Sequence, residues 1–259
     1  MADERARFVW YELMTTDMGG AEAFYPAITG WSPSPFPKMA EPYTLFMRGP
    51  APVGGLMHLP DGARKAGAPP HWMPYVGTSN VDASAARAQQ LGGKVVVPPT
   101  DIPNVGRFAL ITDPQGAHIA IYQSGTGGEA PEDRAPEVGD VSWHELTTTD
   151  ARAAMTFYGG LFGWESAGAH DMGEMGVYHM FGWAGRPVGG VFTAPPGFPF
   201  PPHWLLYFHV ADINRGAEAV KANGGKVMMG PHEVPGGDWI VQCMDPQGAA
   251  FALHALKAG

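Results

Sequence analysis

The sequence predicts an α+β protein made of four strand–helix–strands units, two in each half of the chain. Three observations carry this reading. The chain repeats itself along most of its length; amphipathic helical stretches sit between short runs with strand alternation; and Gly- or Pro-containing turns recur at matching offsets. Trp10–Asp17 (WYELMTTD) returns as Trp143–Asp150 (WHELTTTD). Phe24-Tyr25, Gly30-Trp31 and Val53-Gly54-Gly55 return as Phe157-Tyr158, Gly163-Trp164 and Val188-Gly189-Gly190. Pro69–Trp72 matches Pro201–Trp204, and Asp113-Pro114-Gln115-Gly116-Ala117 recurs letter for letter from Asp245 to Ala249.

Each element follows from local chemistry. Phe8–Leu13 alternates like a strand. Asp17 and Asp150 stand where an N-cap would start the amphipathic segments ending near Ile28 and Phe162. Tyr43–Met47 and Val53–Leu59 read as two further strands. Trp72–Gly77 opens a second unit, and a helix from Ala83 to Leu91 stops at Gly92-Gly93. Lys94–Val97, Arg107–Thr112 and His118–Gln123 complete it, the last two joined by Asp-Pro-Gln-Gly, where proline presets a turn and glycine supplies positive φ. The second half follows the same plan. The segment 124–140 is rich in Gly, Pro and acidic residues without a hydrophobic period, so it reads as a linker between domains 1–123 and 141–259. Leu59–Pro70 and Ala194–Pro202 read as spacers between units.

Composition narrows the function. A net charge of -9 argues against nucleic acid, which demands clustered Lys and Arg. No apolar run approaches membrane-spanning length, and the charged start leads into no signal-peptide core. The one cysteine, Cys243, forms no internal disulfide, so a cytoplasmic location is expected. It lies in a strand-like run and reads as a buried spectator. The expected partner is a small-molecule ligand, and the expected assembly a monomer or homodimer.

The repeated Asp17…Phe24-Tyr25…Gly30-Trp31…Asp113-Pro114-Gln115-Gly116, with its second copy Asp150…Phe157-Tyr158…Gly163-Trp164…Asp245-Pro246-Gln247-Gly248, resembles the vicinal oxygen chelate superfamily. That superfamily includes glyoxalase I, extradiol dioxygenases and bleomycin- or fosfomycin-resistance proteins. The resemblance covers both copies. It implies four βαβββ units forming two glyoxalase-like domains, with curved mixed sheets around clefts. It also implies a divalent ion that chelates two adjacent substrate oxygens as a Lewis acid.

Carried over position by position, the family's ligands fall on Trp10 and Ala120 in the first copy and on Trp143 and Ala252 in the second. The two others fall near Gly55 and Met73, and near Gly190 and Leu205. None of these is His, Glu or Asp. Polar groups remain on the same strand faces, because residues two apart point the same way. Glu145 shares a face with Trp143, His209 with Leu205 and Tyr207, and His254 with Ala252. Glu145, His209 and His254, displaced along their strands, make one candidate metal set for iron, zinc, nickel or manganese. The first copy has Glu12, Gly77 and Tyr122 at these places and cannot supply it. A second reading needs no cofactor: Glu145 and Glu12 act as general bases, with His209 or His254 as acid. A third makes both glutamates structural, hydrogen-bonded to a neighbour. Trp10, Trp143, Tyr75 and Tyr207 are candidate walls for a flat ligand. His144 faces away from Glu145, toward the helix. The functions left open are a lyase or isomerase acting on a carbonyl compound, a metal-free ligand-sequestering protein, and an extradiol-type dioxygenase confined to the second half.

Overall fold

The computed structural model describes residues 6–37, 39, 41–126 and 134–257. The first copy runs β1 (Phe8–Thr15), α1 (Met18–Thr29), β2 (Ser32–Pro35), β3 (Tyr43–Arg48), β4 (Ala51–His58), α2 (Asp61–Lys65), β5 (His71–Gly77), α3 (Val81–Gln90), β6 (Lys94–Ile102), β7 (Gly106–Thr112) and β8 (His118–Ser124). The second runs β9 (Val141–Thr148), α4 (Ala151–Phe162), β10 (Glu165–Asp171), a 3-10 turn (Gly173–Met175), β11 (Val177–Trp183), β12 (Arg186–Thr193), β13 (His203–His209), α5 (Ile213–Ala222), β14 (Lys226–Glu233), β15 (Trp239–Met244) and β16 (Ala250–Ala255). Each half thus holds two βαβββ modules. The strands form two eight-stranded mixed sheets, ordered β2-β3-β4-β1-β5-β8-β7-β6 and β10-β11-β12-β9-β13-β16-β15-β14.

The caps behave as their residues dictate. The Asp17 carboxylate accepts from the Gly20 N–H and that of Asp150 from Ala153, while Gly30 and Gly163 end the two helices with φ of 76° and 71°. Two edge strands, β2 and β10, complete their modules although their sequences predict no strand. Ser32–Pro35 and Glu165–Asp171 are largely exposed, so they carry no apolar alternation. The spacer expected at Leu59–Pro70 contains the short α2, and α3 begins at Val81 because the Asn80 side chain caps it through the Ala83 N–H. The segment expected as a linker lies partly outside the described residues, at 127–133. Its far end is fastened: Arg134 pairs with Asp140 at 2.6 Å, and Arg48 reaches Asp140 at 3.2 Å and also pairs with Glu137.

Two compact units result, and each draws one module from each copy. One comprises Met1–Val9, Pro74–Asp133 and His144–Trp204; the other comprises Trp10–Met73, Arg134–Trp143 and Leu205–Gly259. The repeated Asp-Pro-Gln-Gly turns hold each pairing. Asp113 Oδ1 accepts the backbone N–H groups of Gln115, Gly116 and Ala117, and its Oδ2 accepts the Tyr158 hydroxyl at 3.1 Å. Asp245 likewise accepts from Gln247 and Ala249, and from the Tyr25 hydroxyl at 3.0 Å. The Phe-Tyr of the repeated motif therefore serves the other copy's turn.

Around Tyr25 the second unit packs Leu13, Phe24, Trp31, Phe46, Trp72, Phe208 and Phe251 into one core. The Trp72 indole N–H donates to the Tyr25 hydroxyl at 2.9 Å, so the buried phenol has both a donor and an acceptor. In the first unit, Phe8 stacks on His144 with ring centroids 3.7 Å apart, and Trp164 stacks on Phe181 at 4.7 Å. Burial of rings of this size contributes about 1.5–3 kcal/mol each before entropy is subtracted. No helix among the described residues is long and apolar enough to cross a membrane.

Candidate functional site

Alternation along β1 sends Leu13 into the core and Glu12 to the opposite face of the sheet. β9 repeats this with Leu146, fully buried, and Glu145. Glu12 lies opposite Gly55 in the parallel β1–β4 pairing, and Glu145 opposite Gly190 in the β9–β12 pairing. Over each glycine lies a tyrosine from the next strand. The Tyr43 hydroxyl donates to Glu12 at 2.8 Å and accepts the Trp10 indole N–H at 3.0 Å. The Tyr178 hydroxyl donates to Glu145 at 3.0 Å.

The glycines are required by this closure. A Cβ on Gly55 would lie 1.8 Å from the Tyr43 oxygen, and one on Gly190 would lie 2.0 Å from the Tyr178 ring. Positions where the resemblance expects metal ligands thus hold the space that lets a phenol reach a carboxylate. Both glutamates are 7% exposed. Burial, and next the Glu12 charge, push the Tyr43 hydroxyl far above its ordinary range, so it stays a protonated donor at neutral pH. Tyr43 also lines an open pocket of about 530 Å³ with Met18, Phe36, Met39, Glu41 and His58.

The other expected residues fall into distinct environments. Trp10 and Trp143 are half-buried on their strands. Tyr75 is buried with its ring 6.4 Å from Phe108. Tyr207 is 1% exposed, packed with Leu205 and Ala252, and its hydroxyl accepts from Gln242. His144 is buried on the helix side, as alternation predicts; its Nδ1 meets the Val188 carbonyl, and burial lowers its pKa to about 4. His71 and His203 bond the Pro69 and Pro201 carbonyls at their strand starts. Cys243 is buried, its thiol pushed up to about 12, chiefly by burial.

His209 and His254 are register partners on β13 and β16, their rings 6.2 Å apart. His254 is fully engaged: Nδ1 lies 2.8 Å from the Ser142 hydroxyl, and Nε2 lies 3.1 Å from Asp238. Burial lowers its pKa below the usual histidine value, against the opposing pull of Asp238. Glu145 belongs to the unit of Pro74–Asp133, whereas both histidines belong to the unit of Trp10–Met73, where the strand carboxylate is Glu12. Among the described residues no group of three His, Cys, Asp or Glu is placed to hold a metal ion. The family's ligand positions carry Trp, Gly, Met, Leu and Ala, and His254 has both nitrogens occupied, so this donor set does not fit a divalent ion.

Reading the sequence missed Tyr43, Tyr178, Ser142 and Asp238. A signal existed for the tyrosines. Tyr43…Phe46 recurs as Tyr178…Phe181, each at the same distance ahead of Gly55 and Gly190.

Comparison with known proteins agrees with this architecture. The family model described as "Glyoxalase/Bleomycin resistance protein/Dioxygenase superfamily" matches residues 7–121 and again 141–253. The Mycobacterium tuberculosis protein that carries the name "Putative glyoxylase CFP32" is 32% identical over 94% of this chain and 92% of its own. The anthracycline biosynthesis protein DnrV of Streptomyces peucetius is 30% identical over 96% and 93%. Among solved structures, the Mn(II)-bound glyoxalase of Novosphingobium aromaticivorans superposes with a TM-score of 0.64 at 18% identity, covering 98% of this chain and 82% of that one. An extradiol ring-cleaving dioxygenase of B. fuscum gives 0.68 at 15% identity, covering 99% and 73%. Two family segments spanning nearly all of the chain, together with relatives similar over their whole length, place this protein in the glyoxalase/bleomycin resistance protein/dioxygenase superfamily.

Proposed function

We propose that the protein binds a small organic carbonyl compound on these strand faces and moves a proton next to its carbonyl, as a lyase or isomerase does. The observation that carries this reading is the buried Glu–Tyr pair built twice, Glu12 with Tyr43 and Glu145 with Tyr178. The carboxylate is a proton acceptor, and the phenol beside it becomes a donor for a developing enolate oxygen once its O–H turns from the carboxylate to the substrate. The two must sit within one substrate's reach, and the direct hydrogen bond between them guarantees it. The pocket beside Tyr43 is of the volume that small organic ligands occupy. The relationship to an anthracycline biosynthesis protein points to a flat, polycyclic aromatic ketone, for which Trp10 and Trp143 offer indole faces. The proton transfer proposed here calls on the two carboxylate–phenol pairs and on no metal ion.

The test is α-hydrogen exchange of 2-tetralone in deuterated buffer, followed by NMR, with binding followed by tryptophan fluorescence. Catalysed exchange that falls in Glu12→Gln and Glu145→Gln supports the proposal. Binding without exchange would instead favour the metal-free sequestering function, and neither would remove both.

A further inference from the structure

We propose that Ser142, His254 and Asp238 form a nucleophile, base and orienting carboxylate that transfer acyl groups from small carboxylic esters. This site is separate from the Glu–Tyr pairs and does not rest on them. Its geometry is that of an activated serine. The Ser142 hydroxyl lies 2.8 Å from Nδ1 of His254 and 3.2 Å from the Tyr207 backbone carbonyl, its two acceptors, and Nε2 of His254 lies 3.1 Å from Asp238 Oδ2. With Nε2–H donated to the carboxylate, Nδ1 presents its lone pair to the hydroxyl, the tautomer a general base requires. Asp238 is itself anchored, accepting the Lys257 backbone N–H at 2.8 Å. Ser142 is half-buried rather than sealed.

The chain contains its own control. The first copy makes the same strand pairings, with Gly77 opposite Tyr122 where the second has His209 opposite His254. The places of Ser142 and Asp238 are taken there by Val9 and Gly106. A Cβ on Gly106 would meet the Tyr122 ring at 2.8 Å, so the first copy fills with one phenol the space that the second gives to a polar set. The fold therefore does not need Ser142, His209, Asp238 or His254; they replace the first copy's residues together. A cluster kept for stability alone would also satisfy its members, yet His209 Nδ1 is buried without a hydrogen-bond partner.

In the reaction, Ser142 Oγ bonds to the ester carbonyl carbon as its proton passes to His254 Nδ1. The carbon–oxygen bond to the leaving alcohol then breaks, and the alcohol departs with that proton. Water, deprotonated by His254, hydrolyses the acyl-serine, releasing the carboxylic acid and restoring the hydroxyl. Asp238 touches no substrate; it is a positioning residue that holds the imidazole and its charge.

The experiment uses the full chain with 4-nitrophenyl acetate, reading the nitrophenolate burst and mapping acetylated peptides by mass spectrometry. We expect a burst, with acetyl on Ser142. Ser142→Val, which installs the residue of the first copy, should fold with an unchanged circular dichroism spectrum and lose the burst. His254→Gln should slow acylation roughly a hundredfold or more, and Asp238→Asn should lower kcat with KM unchanged. Absence of acetyl from Ser142, or a burst that persists in Ser142→Val, would overturn the proposal. So would Asp238→Asn with wild-type kcat.

Discussion

The Tyr178 hydroxyl lies 3.0 Å from the Glu145 carboxylate, and it reaches there across the bare Cα of Gly190. Tyr43 and Glu12 repeat the relationship across Gly55. Because two distant stretches of chain build the same contact, its consequences can be tested twice in one molecule.

The first consequence concerns the glycines. In Gly55→Ala and Gly190→Ala the new methyl displaces the end of a tyrosine side chain, which can swing away, so both variants should fold. Each leaves a buried carboxylate without its phenol donor and should cost about 1–3 kcal/mol. Gly189→Ala should cost more, because its Cβ would lie 2.2 Å from the His144 carbonyl oxygen, which belongs to the sheet. Urea denaturation orders the three. Equal losses would show that the tyrosine does not yield.

A second prediction follows from His144. Its folded pKa is lowered to about 4, first by burial, so the unfolded chain binds more protons between that value and 6.5. The stability it contributes is complete above the unfolded pKa and is lost as pH falls toward 4, by roughly 3 kcal/mol over that window. His144→Tyr, which installs the residue of the first copy, should flatten this part of the stability–pH curve. Matching curves for the two proteins would refute the assignment.

The tyrosines of the repeated Phe-Tyr motif make a third test. Tyr25→Phe removes the donor to Asp245 and the acceptor for the Trp72 indole, and should cost about 1–3 kcal/mol. Tyr158→Phe should act likewise on Asp113, and the double variant should show additive losses because the two share no partner. A calorimetric double-mutant comparison measures this directly.

The exchange of modules makes a fourth. Tyr25 and Phe24 of the first copy pack with Asp245 and Phe251 of the second. The first copy produced alone should therefore expose these groups and self-associate or fail to fold. Co-produced with the second copy, it should give a one-to-one complex with native tryptophan fluorescence. A stable, monomeric first copy in size-exclusion chromatography would contradict this.

The modules were legible in the sequence where local chemistry dominates. Asp17 and Asp150 cap their helices, Gly30 and Gly163 end them, and Asp-Pro-Gln-Gly turns the chain, because each effect acts within a few residues. Ser32–Pro35 was not legible, since an exposed edge strand is held by its neighbour's backbone rather than by a side-chain pattern. At the candidate site, Glu12, Glu145, Trp10 and Trp143 were found because strand alternation fixes their shared face. Tyr43, Tyr178 and Asp238 were not, because hydrogen bonds across strands leave no period along one strand.

The sequence alone determined that four similar modules would form, where their helices begin and end, and which strand residues share a face. Only the tertiary structure decided which modules share a core and which polar groups meet. That choice rests on contacts such as Tyr25 with Asp245 and Tyr158 with Asp113, more than forty residues apart in the closer case. The two copies offer each tyrosine the same Asp-Pro-Gln-Gly turn, and the adopted pairing sets each tyrosine hydroxyl on the turn aspartate of the other copy while its ring packs among aromatic neighbours.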